Sequence, residues 1–146
     1  MRIAVASDHA GFELKQQVAT LLRGDGHDVV DLGAHSDASV DYPPLAEAAA
    51  RMVAESQAER GVLVCGSGVG VSIVANKVDG VRAVNAHDAD EARMSRRHND
   101  ANVLALSGAR LGIAQVGEIL AAFLSTGFDG GRHARRVGLI GEVERR

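Results

Sequence analysis

Five short apolar runs alternate with helix-patterned segments along this chain, and that alternation restricts the fold more than any single residue does. The runs are Arg2 to Ala6, His27 to Leu32, Val62 to Val64, Val81 to Ala86 and Asn102 to Leu106. Between them the spacing predicts helices over Phe12 to Arg23, Leu45 to Glu59, Val69 to Lys77, Ala89 to Arg97 and Gly112 to Ser125, with a last helix after Arg132. Gly24-Asp25-Gly26, Gly61, Asp79-Gly80 and Gly127 fall where helices should stop. Strands joined by crossover helices predict an α/β fold: a three-layer sandwich built on a five-stranded parallel sheet with flanking helices. The flavodoxin-like order 2-1-3-4-5 would set strands one and three side by side, with a ligand crevice at their carboxyl ends. Residues 1–146 are expected to form a single domain, large enough to bury about two-thirds of its unfolded surface. The segment Ala46-Glu47-Ala48-Ala49-Ala50-Arg51 reads as a strong helix former and nothing more. Glu142 to Arg146 reads as a solvated helix end.

Composition removes several classes of function. The chain has three Phe, one Tyr and no Trp, which excludes an aromatic platform for stacking bases. A formal net charge of -3 gives no electrostatic reason to expect nucleic acid or an anionic membrane surface. No apolar run approaches the roughly 18 residues a membrane helix requires. One cysteine cannot form an internal disulfide, and Met1-Arg2 passes directly into Ile3-Ala4-Val5-Ala6 without a signal-peptide layout. A cytoplasmic protein is therefore expected, whose partners are small molecules and other protein chains.

The third apolar run leads into Cys65-Gly66-Ser67-Gly68-Val69-Gly70, a glycine-rich turn at a strand-to-helix junction that carries the only cysteine. Backbone N–H groups in such a turn point outward at an anion. A thiol there also faces the positive end of the following helix, which lowers a cysteine pKa from about 8.5. The turn is not a Walker A loop, because the Gly-Lys-Ser/Thr ending is missing. Nor is it a dinucleotide fingerprint: Val71 stands where the third glycine should be, the loop follows the third strand, and Asp88 alone does not rescue that reading. A cradle for a small anion remains, against the plainer reading that the glycines only permit close packing.

Around this turn each candidate residue has two readings. Cys65 is either a small buried hydrophobe or a reagent. Asp8 and His9, in the loop after the first strand, are either an oriented acid pair or polar turn residues. Tyr42, where Asp41-Tyr42-Pro43 opens a helix, either packs as a lid or donates its hydroxyl. Arg132 and Arg136 share a helix face and suit a phosphate, although a solvated charged face is the commoner origin of such a run. His98 precedes the last strand, at the sheet end away from the crevice, so any role it has should be exercised across a subunit interface. His27, His35 and His87 show no ligand-like spacing, and neither a metal nor a cofactor is expected.

Taken together, Ser7-Asp8-His9-Ala10-Gly11-Phe12, Asp41-Tyr42-Pro43, Cys65 to Gly70, Ala75-Asn76-Lys77, Ser95 to Leu104 and Gly131-Arg132-His133 resemble the ribose-5-phosphate isomerase B family. The motifs follow in order over essentially the whole chain. The resemblance implies a Rossmann-like, metal-independent homodimer or tetramer that interconverts aldose and ketose phosphates through a cis-enediolate. It implies Cys65 as the base between C2 and C1, with Ser67 assisting at the reacting oxygens and the amides of Gly66, Gly68, Val69 and Gly70 stabilising the enediolate. His98 would open the sugar ring from a neighbouring subunit, Asp8 would assist at the hydroxyls, and Asn99 would contact the intermediate. His9, Arg132 and Arg136 would hold the phosphate, Tyr42 would line the pocket and Arg110 would add a contact. Two departures stand out. Val71 occupies a position where one branch of the family carries a Glu base, and Ala105 to Arg110 is one residue longer than the usual pattern. Relatives acting on tetrulose, allose or galactose phosphates, or a binding subunit without turnover, are the alternatives.

Overall fold

The computed structural model describes residues 1–146. Strands β1 (Arg2–Ser7), β2 (Asp28–Asp31), β3 (Arg60–Cys65), β4 (Ala83–Asn85) and β5 (Val103–Ser107) alternate with helices α1 (Phe12–Gly24), α2 (Tyr42–Ala54), α3 (Val69–Asn76), α4 (Ala89–Asn99) and α5 (Ile113–Ser125), followed by α6 (Arg132–Val143). All pairings are parallel. The α/β architecture and its five strands are as the alternation predicts.

The strand order is β2-β1-β3-β5-β4, so the last two strands exchange the places expected for them. Burial explains the exchange. All five residues of β5 are buried, which suits a position with strands on both sides. β4 is three residues long, only half-buried, and ends on Asn85, which suits an edge. The expected adjacency of β1 and β3 survives: Val5 pairs with Val62 and Ser7 with Val64. The loops after β1 and β3 therefore leave the sheet side by side at their carboxyl ends.

Alternate strand residues face opposite layers. Ile3, Val5, Val62, Val64, Leu104 and Leu106 pack under α1 and α5 with Val18, Leu22, Ile119 and Phe123. Ala4, Ala6, Leu63, Cys65, Val103 and Ala105 pack under α2 and α3. Here the Ala-rich segment does more than favour helix: Ala46, Ala49 and Ala50 are buried against the sheet, and their small size brings α2 close to it. α2 also begins earlier than expected, at Tyr42, with both prolines in its first turn where no intrahelical N–H is needed. It ends at Ala54 and not at Glu59. α6 buries none of its side chains within the chain.

Candidate active site

Cys65 ends β3 with its side chain 4% exposed, and Gly68 follows in the left-handed region at φ 77°. That conformation turns the Gly68 amide back to donate to Cys65 Sγ at 3.2 Å. It also leaves no room for a side chain, because a Cβ on Gly68 would meet Asn85 Oδ1 and the Leu106 backbone. The Ser67 hydroxyl accepts from the Val69 amide at 3.1 Å, at the amino end of α3. The loop is held from below by the end of β5. Gly108 N–H donates to the Cys65 carbonyl at 2.8 Å, and the buried Ser107 hydroxyl donates to the Gly66 carbonyl at 2.6 Å.

The loop after β1 closes the other side. A Cβ on Gly11 would lie 2.5 Å from the Val64 carbonyl oxygen, so only glycine lets the β1–α1 turn sit this close to β3. Asp8, 7% exposed, accepts the Gly11 N–H through Oδ1 at 2.9 Å. His9 is exposed, and the Val40 amide lies 3.2 Å from its Nδ1. The Val40 carbonyl lies 3.3 Å from the same Nδ1, so Val40 anchors the ring there and leaves Nε2 without a partner in the chain. Where Nδ1 accepts from the amide, Nε2–H is the donor an anion needs. Tyr42 stands over the first turn of α3, where a Cβ on Gly70 would touch its ring at 2.6 Å. Asp8, His9, Tyr42, Cys65, Ser67 and Gly66 to Gly70 thus share one crevice. Arg110 is exposed in the turn after β5, at the same end of the sheet, and forms no ion pair.

His98, Asn99, Arg132 and Arg136 gather elsewhere. β5 runs parallel to β3 with Gly61 opposite Val103, so the end of α4 lies at the amino end of the sheet while Cys65 lies at the carboxyl end. Five residue steps of strand separate these ends by about 17 Å. At the amino end the rings of His98 and His133 stack with centroids 4.3 Å apart and planes 11° from parallel. Arg132 and Arg136 are exposed one turn apart on α6. The end of α4 is firmly seated. Arg82 donates to the Asn99 and Asp100 carbonyls at 2.8 and 2.9 Å, and the buried Arg96 binds Asp100 at 2.8 Å.

His133 stands in the Gly131-Arg132-His133 motif, but the sequence does not pair it with His98, since 35 positions separate the two and only the packing of α6 on α4 brings them together. Loss of solvation, then the charges of His98, Arg132 and Arg136, lower its pKa below the ordinary histidine value. His98, Asp129 and His133 bring donor atoms within 4.8 Å of one another. Asp129, however, is engaged by Arg97 at 3.2 Å, and Arg132 and Arg136 stand beside the rings. The set fits an anion and does not fit a cation. Asn85 and Ser107 were also missed. Both are polar residues ending strands that brace the glycine loop, Asn85 Nδ2 donating to the Ser67 carbonyl at 3.3 Å and Ser107 to the Gly66 carbonyl.

The family model described as Ribose/Galactose Isomerase matches residues 3–140. The chain belongs to this ribose/galactose isomerase family. Ribose-5-phosphate isomerase B of Escherichia coli is 41% identical over 145 residues, which are 99% of this chain and 97% of that protein. The structure of Clostridium thermocellum ribose-5-phosphate isomerase B superposes with a TM-score of 0.98 at 46% identity, covering 99% of this chain and 98% of the other. Ribose-5-phosphate isomerase B from Mycoplasma genitalium with bound ribulose-5-phosphate has a TM-score of 0.94 at 40% identity, with 99% and 97% covered. As a family member the chain is an isomerase of the aldose-ketose type, and none of its helices is long and apolar enough to cross a membrane.

Proposed function

We infer that this family member interconverts ribose 5-phosphate and ribulose 5-phosphate, with Cys65 as the base. The observation that carries the reading is the Gly68 amide on Cys65 Sγ at the floor of the β1–β3 crevice. Proton abstraction from C2 of an aldose phosphate needs three things together: a base, donors for the enediolate oxygens, and an anchor remote from the reacting carbons. Cys65 takes the C2 proton and returns it to C1, while the amides of Gly66 to Gly70 and the Ser67 hydroxyl receive the charge that develops on the oxygens. Asp8 faces the sugar hydroxyls, and His9 offers Nε2–H to the phosphate.

His98, Asn99, Arg132 and Arg136 join this chemistry only from a second copy, because one chain holds them at the far end of its sheet. A homodimer related by a two-fold axis supplies each crevice with the partner's α4–α6 end and does so twice. The unpaired edge of β4 supports such docking, as do Val69 and Ile73 on α3 and Leu139, Ile140 and Val143 on α6, all between 43% and 57% exposed. His98 then protonates the ring oxygen, while Arg132 and Arg136 join His9 on the phosphate.

The test is conversion of ribose 5-phosphate in EDTA by the wild type and by Cys65→Ala, beside four- and six-carbon sugar phosphates. Turnover of ribose 5-phosphate that disappears in the variant supports substrate and base together. Preference for another sugar phosphate keeps the base and changes the substrate. Thermal stabilisation by sugar phosphates without conversion of any would make the chain a binding subunit.

A further inference from the structure

Lys15 is the one charged side chain that is fully buried, at 0% exposure, and the chemistry above does not use it. A buried ammonium is costly unless each of its protons is met. Here three acceptors meet three protons: Asp31 Oδ1 at 2.8 Å, Asp31 Oδ2 at 2.9 Å and the Ala34 carbonyl at 2.5 Å. Asp31 Oδ1 also accepts the Gly33 N–H at 2.9 Å. The segment from Asp31 to Ala34 is therefore folded around the lysine.

That segment is tied in turn to the crevice. Ser7 donates to the Gly33 carbonyl and accepts from the Ala34 amide, each at 2.7 Å, and Ser7 is the residue before Asp8. Beyond Ala34 the chain runs through residues 35–41, exposed and without helix or strand. Val40 in that run holds His9 Nδ1, and the run ends at Tyr42 over Gly70. Both walls of the crevice outside the glycine loop thus start from the two peptides that Lys15 fixes.

We propose that Lys15 is a positioning residue, which sets Asp8, His9 and Tyr42 through the Asp31–Ala34 segment without touching substrate. The inference rests on the isomerase reading for its kinetic consequence and not for its structural one. Because these three groups contact hydroxyls and phosphate in ground and transition states alike, loosening them raises KM more than it lowers kcat.

Lys15→Met paired with Asp31→Asn removes the ion pair as a neutral set of similar shape and keeps an acceptor for Gly33 N–H, so the fold is retained. In this double variant KM for ribose 5-phosphate rises about tenfold while kcat stays within about threefold, and the Ser7, Ala34 and Val40 amides exchange with solvent faster. A folded double variant with wild-type KM and wild-type exchange would make Lys15 a stability element only and overturn the proposal. If the double variant does not fold, Lys15→Arg, which keeps the charge but displaces its donors, carries the same two readouts with the same meaning. A wild type that does not turn over ribose 5-phosphate would sink the isomerase reading, and the exchange readout would still decide Lys15.

Discussion

His133 lies flat against His98, ring centroids 4.3 Å apart, and Arg132 and Arg136 on the same helix add positive charge beside it. Loss of solvation and these neighbouring charges make protonation of His133 harder in the folded chain than in the unfolded one. Between the lowered folded value and the ordinary value of about 6.5 the unfolded chain binds more protons, so stability rises with pH across that window. Above the window the stack costs nothing; as pH falls through it, stability is lost. Acidification from about pH 7.5 to 5.5 should lower Tm more in the wild type than in His133→Gln. Equal slopes in a pH series of thermal melts would show that His133 does not carry the effect.

Cys65 belongs to a core cluster with Ala4, Ala6 and Leu63 and also accepts a hydrogen bond at the crevice floor, so its two sequence readings make different demands on Cys65→Ala. A filler of the core would cost about 1 kcal/mol of stability and leave turnover per folded molecule unchanged. A base would cost about 100- to 10,000-fold in kcat at a similar stability. We expect the second result, read from steady-state kinetics and a thermal melt on one preparation.

How far the sequence reached can be judged from these same residues. The glycine turn was legible because strand, turn and helix are local patterns, and Gly68 is where the left-handed φ occurs. The nearness of Asp8 to Cys65 was legible because adjacency of β1 and β3 follows from crossover topology. The order of β4 and β5 was not, since local pattern says that each is a strand but not which is buried from both sides. His133 on His98, and Lys15 between Asp31 and Ala34, were out of reach for a related reason: each contact joins elements whose docking is a tertiary outcome. The separation of His98 from Cys65, by contrast, was readable, because residues before and after parallel strands lie at opposite ends of a sheet.

Two glycines separate packing from binding. A Cβ at Gly11 would strike the Val64 carbonyl carbon and oxygen at 2.6 and 2.5 Å, and backbone cannot step aside. Gly11→Ala should cost about 3 kcal/mol or more, seen as a shift in the denaturation midpoint with an unchanged slope. At Gly70 the obstacle is the ring of half-buried Tyr42, which can swing outward, and alanine in the first turn of α3 recovers up to about 1 kcal/mol of helix propensity. Gly70→Ala should therefore keep its stability within about 1 kcal/mol while KM rises several-fold. Equal destabilisation of the two variants would mean that Tyr42 is fixed and not a movable wall.

The proposed sharing of sites between subunits is tested by an experiment that no single variant can supply. Cys65→Ala and His98→Ala chains are each expected to be nearly inactive, because each removes one group from every site. If His98 serves the crevice of the partner, a dimer with one chain of each kind contains one site with both lesions and one with neither. Random reassembly of equal amounts makes half of the dimers mixed, so about a quarter of the wild-type activity should return on mixing two inactive proteins. Recovery should follow subunit exchange in time and be absent when either protein is mixed with itself. Were His98 to act on the crevice of its own chain, every site in the mixture would keep a lesion and nothing would return.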